Sequence, residues 1–229
     1  MPTAEQTRAA TALVTAAAVS EVESLIRAMK SPDQGRRLAF STVPAVIEHY
    51  GLGSAALAVD AYDEKRAMLD LGSAYAASPF VTLDEGKLFN AIAWATDPLY
   101  DERFADSFIT EMDKRFRDVV SSGVSGAGRS TMIGNVRADP AGVGWRRVTG
   151  GHGCGFCRML ASRGAVYRKE VTATFAAHDN CDCMAEAYFQ GEKIREANTI
   201  QYMASKRSRT PEEKAALNEY VRDWSDDVA

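Results

Sequence analysis

All four cysteines of this 229-residue chain fall between positions 154 and 183. They are set as Cys154-x-x-Cys157, then twenty residues, then His178-x-x-Cys181-x-Cys183. A Cys-x-x-Cys pair puts two sulfurs on one tight turn, and a second such knuckle completes a tetrahedron around Zn²⁺. Five candidate ligands, Cys154, Cys157, His178, Cys181 and Cys183, stand for four positions. Either the four cysteines bind and His178 supports them from outside, or His178 replaces Cys181 or Cys183. The spacing leaves both open.

Other uses of the cysteines compete with a metal. A redox Cys-x-x-Cys sits at a helix start in a strand–helix–strand unit, and no convincing strand is read before Cys154. Paired disulfides suit a secreted chain, whereas the Ala-rich start lacks a basic leader and carries Glu21 and Glu23. No run approaches eighteen consecutive apolar residues, so no membrane span is expected. Catalytic signatures are missing: neither the His-x-Glu of zinc deaminases nor the His-Glu-x-x-His of metalloproteases occurs. A Cys157–His178 nucleophile pair is conceivable, but two further cysteines in the same cluster favour ligation. His49 lies among polar helical neighbours and reads as a surface residue, and His152 lies in a Gly-rich loop. A sulfur-filled site leaves no position open for water, so the expectation is a structural zinc and no enzymatic activity.

The same window carries a resemblance. Trp145-Arg-Arg-Val148, Cys154-Gly-Phe-Cys157-Arg-Met-Leu160-Ala-Ser-Arg163-Gly164-Ala-Val-Tyr167, His178-Asp-Asn-Cys181-Asp-Cys183 and Tyr188-Phe189 together resemble the MuF-like (head morphogenesis) minor capsid proteins of tailed phages, the actinobacteriophage type above all. Asp139-Pro140-Ala-Gly-Val-Gly144 is similar to that family too. So are Tyr50-Gly-Leu-Gly-Ser-Ala-Ala-Leu57 and Tyr62-Asp-Glu-Lys-Arg66. The similarity spans roughly residues 35–190. It implies a non-enzymatic virion protein in several copies, placed in the capsid interior near the portal and in the host cytoplasm during assembly. Portal protein, major capsid protein and packaged double-stranded DNA would be its partners, with no membrane. Many relatives are fused to a maturation protease or a toxin domain, and this chain is too short for either.

Charge is unevenly spread. Residues 1–140 hold 14 basic and 19 acidic side chains, residues 141–209 hold 11 and 6, and residues 210–229 hold 2 and 6. The cysteine-bearing segment is the basic one, which favours an acidic partner or nucleic acid. A zinc-dependent nucleic-acid-binding regulatory module is therefore the alternative reading.

The rest of the chain reads as helix. Thr3 with Gln6 makes a capping box, and Val14, Ala18, Val22, Leu25, Ile26 and Met29 form one stripe that Ser31-Pro32 ends. A second helix is expected over residues 34–50 with a kink at Pro44, a break at Gly51–Gly53, and a third helix from Ser54. Pro98 should open a helix in which Phe104, Phe108, Met112, Phe116 and Val119 recur. The glycines of residues 121–128 read as a hinge or helix end, open to proteolysis. Short strands are expected at 145–148, 165–167 and 184–189. The expected class is thus mainly α: a helical region at 1–140, a small α+β zinc-stapled module at 141–190, and a helical tail at 191–229.

Overall fold

The computed structural model describes residues 3–81, 83–150, 155–162, 164, 167–168, 175, 181–192, 210 and 212. Within them the chain is mainly helical with a small sheet, as the periodicity implied. Helix α1 (Ala4–Arg27) begins at the expected capping box: the Thr3 side chain accepts from the Gln6 N–H, and the Gln6 side chain accepts from the Thr3 N–H. Helix α2 (Pro32–Met68) starts at Ser31, whose hydroxyl accepts from the Gln34 N–H. Helices α3 (Glu85–Thr96) and α4 (Phe108–Ala138) follow.

Three expectations are corrected. Helix α2 runs unbroken through Pro44, Gly51 and Gly53. Likewise α4 runs unbroken through residues 121–128, so there is no hinge. Local propensity costs of about 1 kcal/mol per glycine and about 3 for proline are outweighed by a face buried along the whole helix. The glycines serve close packing: a Cβ on Gly123 would stand 2.6 Å from Ile47 Cγ2, and one on Gly128 would stand 2.6 Å from Ser54 Oγ and 3.1 Å from Ser54 O. Lastly, the helix expected from Pro98 does not reach Phe108. Two 3₁₀ turns, Asp97–Tyr100 and Glu102–Phe104, intervene, because the Asp101 carboxylate takes the Arg103 N–H and starts a new turn.

Cross-contacts give the helix directions. Thr15 meets Ser125, Glu23 pairs with Arg117 and Arg27 with Asp113, so α1 runs antiparallel to α4. Ile47 lies against Gly123 and Ser54 against Gly128, so α2 and α4 run in the same direction. The threonines of α1's first half, Thr7, Thr11 and Thr15, are buried, and each hydroxyl donates to the carbonyl four residues back. By length and mean hydropathy (1.4 over its best window) α1 also meets the criterion for crossing a bilayer; here Ala18, Val22 and Ile26 are instead buried in the core.

One core cluster lies among the helices, built on Val22, Val43, Ile47, Ile92, Met112 and Phe116. A second joins Tyr62 of α2 and Met132 and Val136 of α4 to Trp145, Ala185 and Phe189 of the sheet. The sheet has the order β2-β1-β3, with β1 (Gly142–Val148) central and antiparallel to both β2 (Tyr167–Arg168) and β3 (Met184–Phe189). Residues 71–81 are laced onto α4: Asn135 Oδ1 accepts from Tyr75 Oη at 2.6 Å and the Ser78 N–H at 2.9 Å, and Thr131 Oγ1 accepts from the Phe80 N–H at 3.0 Å.

The glycines give a paired test. Gly126 has no neighbour within 4 Å of a built Cβ. Gly126→Ala should therefore raise stability by up to about 1 kcal/mol, while Gly128→Ala should lower it by about 1–3. Urea denaturation of both variants checks this; equal effects would mean that α4 does not approach α2 as described.

Candidate metal centre

The sheet and a short helix bring the cysteines together. Along β1, Trp145 and Arg147 point inward, as alternation requires, while Arg146 between them is exposed and ion-paired with Glu186 at 2.6 Å. Trp145 stacks on Tyr167 with centroids 4.1 Å apart, and on Phe175 at 5.2 Å. After β1 the chain enters α5 (Gly155–Ser162), with Cys157 in its first turn. Cys181 and Cys183 stand just before β3. Thus the strand expected at 145–148 precedes the Cys-x-x-Cys, running from Gly142, and a helix that was not read from the sequence carries its second cysteine.

Three sulfurs meet: Cys157 Sγ lies 3.1 Å from Cys181 Sγ and 3.8 Å from Cys183 Sγ, and Cys181 Sγ lies 3.0 Å from Cys183 Sγ. All three are free thiols. A disulfide needs about 2.05 Å, so none is formed among them. A zinc tetrahedron with bonds of about 2.3 Å has sulfur–sulfur edges of about 3.8 Å, and this triangle is within a small adjustment of one face of it. These three cysteines could therefore hold a metal ion. Cys154, His178 and His152 lie outside the described residues.

Two arginines surround the triangle. Arg147 Nη1 donates to Cys183 Sγ at 2.8 Å and approaches Cys157 Sγ at 3.8 Å. Arg129, from α4, donates through Nε to the Cys183 carbonyl at 2.8 Å and through Nη2 to the Cys181 carbonyl. Phe175 lies under both guanidinium groups, at 3.9 Å from Arg147 and 5.2 Å from Arg129. Hydrogen bonding from Cys157 and Cys181, together with the charges of Arg147 and Arg129, holds the Cys183 thiol well below its ordinary range despite its burial. Burial in turn lowers the Arg129 guanidinium. Both arginines escaped the sequence reading as site residues. For Arg147 a signal existed: it shares the inward side of β1 with a buried tryptophan, where a charge needs an internal partner.

Cys157 and Cys183 are buried; Cys181 is half-buried and borders a cleft of about 600 Å³ between α1 and α4, lined by Thr15, Arg117, Ser121, Ser125 and Asp182. Asp182 forms an ion pair with Arg8 of α1, which fastens the cysteine segment to the first helix.

The other motif residues converge nearby. Asp139, 1% exposed, accepts from Tyr62 Oη at 2.9 Å, from Arg66 Nη1, and from the Ala141 N–H at 2.9 Å. Desolvation, and then its bond to Asp139, push the Tyr62 hydroxyl far above its ordinary pKa, so it stays a donor. Lys65 bridges Glu186 and Glu192. A Cβ on Gly144 would collide with the Tyr167 carbonyl of β2. Tyr62, Lys65, Arg66, Asp139 and Gly144 of the quoted motifs thus build one joint between helix and sheet, and Tyr62 and Lys65 also border a cleft of about 610 Å³.

Together these features define a helical protein whose small sheet is clasped to its helices beside a buried, metal-competent thiol cluster. The family model of the VG15 protein matches residues 2–207, and the chain belongs to that phage-associated family. No curated protein and no solved structure matches it. A phage protein, in the virion or the infected host, agrees with the origin that the motif resemblance implied.

Proposed function

We propose that this is a non-enzymatic minor capsid protein of the MuF-like, head-morphogenesis kind. It associates with the portal protein and the capsid interior, present in several copies per virion, and acts in head assembly and in packaging or ejection of double-stranded DNA. Its cysteine cluster carries one structural Zn²⁺. The observation that carries the reading is the use made of the motif residues: Tyr62, Arg66, Asp139, Gly144 and Trp145 all serve the helix–sheet joint. Membership of a phage-associated family supports the phage setting. Exposed Phe89, Trp94 and Tyr100, with Arg115 over the Trp94 ring at 4.9 Å, supply the aromatic and arginine composition enriched at protein interfaces.

The test is the content of purified particles. The protein should copurify with procapsids and virions and crosslink to the portal ring through the face bearing Trp94. Its absence from both kinds of particle would remove the capsid role.

A further inference from the structure

We infer that the cleft of about 610 Å³ between the start of α1, the end of α2 and the sheet binds an alkylguanidinium cation, with Glu64 as its acceptor. The site lies beside the helix–sheet joint and makes no use of the cysteines.

Glu64 is the residue of the Tyr62–Arg66 motif that the joint leaves idle. Tyr62 and Arg66 bind Asp139, Asp63 accepts from the Ala77 N–H at 2.9 Å, and Lys65 bridges Glu186 and Glu192. Glu64 Oε2 is buried without a hydrogen-bond partner, and so is Thr149 Oγ1, just after β1. Both residues line the cleft. A buried acceptor without a donor is costly, and a ligand that brings N–H groups removes that cost.

Charge and shape define the ligand. The other charged residues of the lining are engaged: Glu5 with Arg8, Glu186 with Lys65 and Arg146, and Arg147 with Cys183 Sγ. A neutral donor would satisfy Glu64 by hydrogen bonding alone, whereas a cation also balances its charge, and hydrogen bonds between charged groups are the stronger ones. A guanidinium is weakly hydrated and carries several N–H groups in one plane, so it enters a partly buried site more readily than an ammonium. Met68, Met132 and Met184 line the same space. Their flexible thioether chains suit an alkyl stem, as basic side chains lay their stems along apolar surface and keep the charged head among polar groups. Glu5, Met68 and Arg146 are exposed, so the cleft opens to solvent and a ligand can enter.

Calorimetric titration of the full-length protein with n-butylguanidinium tests this. Saturable binding is expected, with the neutral n-butylurea, alike in shape, weaker by about tenfold or more. Glu64→Gln should weaken n-butylguanidinium by about tenfold and leave n-butylurea unchanged. It should not lower the melting temperature, because no partner of Glu64 Oε2 is lost. No binding of either probe, equal binding of both, or unchanged affinity in Glu64→Gln would overturn the inference. So would a melting temperature several degrees lower in Glu64→Gln, which would give the carboxyl group to the fold. A capped pentapeptide with one central arginine distinguishes the sources of the cation. Tighter binding than n-butylguanidinium assigns the site to an arginine of a protein partner, and weaker binding assigns it to a free guanidinium compound.

Discussion

Replacing Asp139 by alanine is expected to destabilise the fold by about 3–5 kcal/mol, because it strands a buried cation. Arg66 is 5% exposed; its described hydrogen-bond partners are the Asp139 carboxylate and the carbonyls of Leu71 and Gly72, both at 3.3 Å, and its guanidinium lies over the Tyr75 ring at 5.4 Å. Without Asp139 the guanidinium keeps only neutral acceptors, and the Tyr62 hydroxyl loses its acceptor as well. The turn from α4 into β1 also loosens, since Asp139 Oδ1 holds the Ala141 N–H. For a chain of this size the melting temperature should fall by roughly 10 °C or more. Because much of the cost is the stranded charge, Asp139→Ala combined with Arg66→Met should be less damaging than Asp139→Ala alone. Thermal and urea denaturation of the three proteins measure this. A loss below about 1 kcal/mol in the single variant, the level of an exposed ion pair, would sink the claim that the knot is buried and tight.

Removing the proposed zinc should have the other large effect. Binding of a structural zinc is folding free energy, with apparent values of about 10–16 kcal/mol in small zinc peptides at neutral pH. Here β1, α5 and β3 bury little surface of their own, and Trp145, Ala185 and Phe189 are covered by Tyr62, Met132 and Val136. Chelation, or Cys183→Ser, should therefore melt the sheet and expose the ends of α2 and α4 that it covers. The cluster around Val43, Ile47, Met112 and Phe116 should persist. Near-ultraviolet circular dichroism should lose the signal of the Trp145–Tyr167 stack, while most far-ultraviolet helical signal remains. The pH dependence has a definite sign. A thiol whose folded pKa is depressed, as at Cys183, contributes stability that is fully present above its ordinary value and is lost as the pH falls through the folded one. Acid should thus release the metal and loosen the sheet, and alkali should not. Full retention of the near-ultraviolet signal after chelation would refute the dependence of the sheet on metal.

The sequence announced some elements clearly. Thr3 and Gln6 marked the start of α1 because a capping box is a local bond pattern, and β3 was bounded correctly, ending on the strand-favouring Tyr188 and Phe189. Gly51, Gly53 and the glycines of residues 121–128 misled, since glycine serves both to break a helix and to let two helices touch. Only the position of Ile47 and Ser54 opposite Gly123 and Gly128 tells which use applies. The candidate site was half legible. The cysteine spacing named Cys157, Cys181 and Cys183. Nothing local tied Arg129 to them, as it lies 52 residues from Cys181 and 54 from Cys183. The same holds for Asp139, which sits 77 residues from Tyr62; the motif was visible, but its job as a joint became visible only with the fold.

The pairing of α1 with α4 has a consequence for synthesis. Thr15 meets Ser125 across 110 residues, and Arg8 reaches Asp182 across 174. At about 5–20 residues per second, α1 leaves the ribosome roughly 5–20 s before its partner helix exists. The stretch of the described chain whose length and hydropathy suit a bilayer is therefore also one that waits longest for the α4 surface that completes its burial.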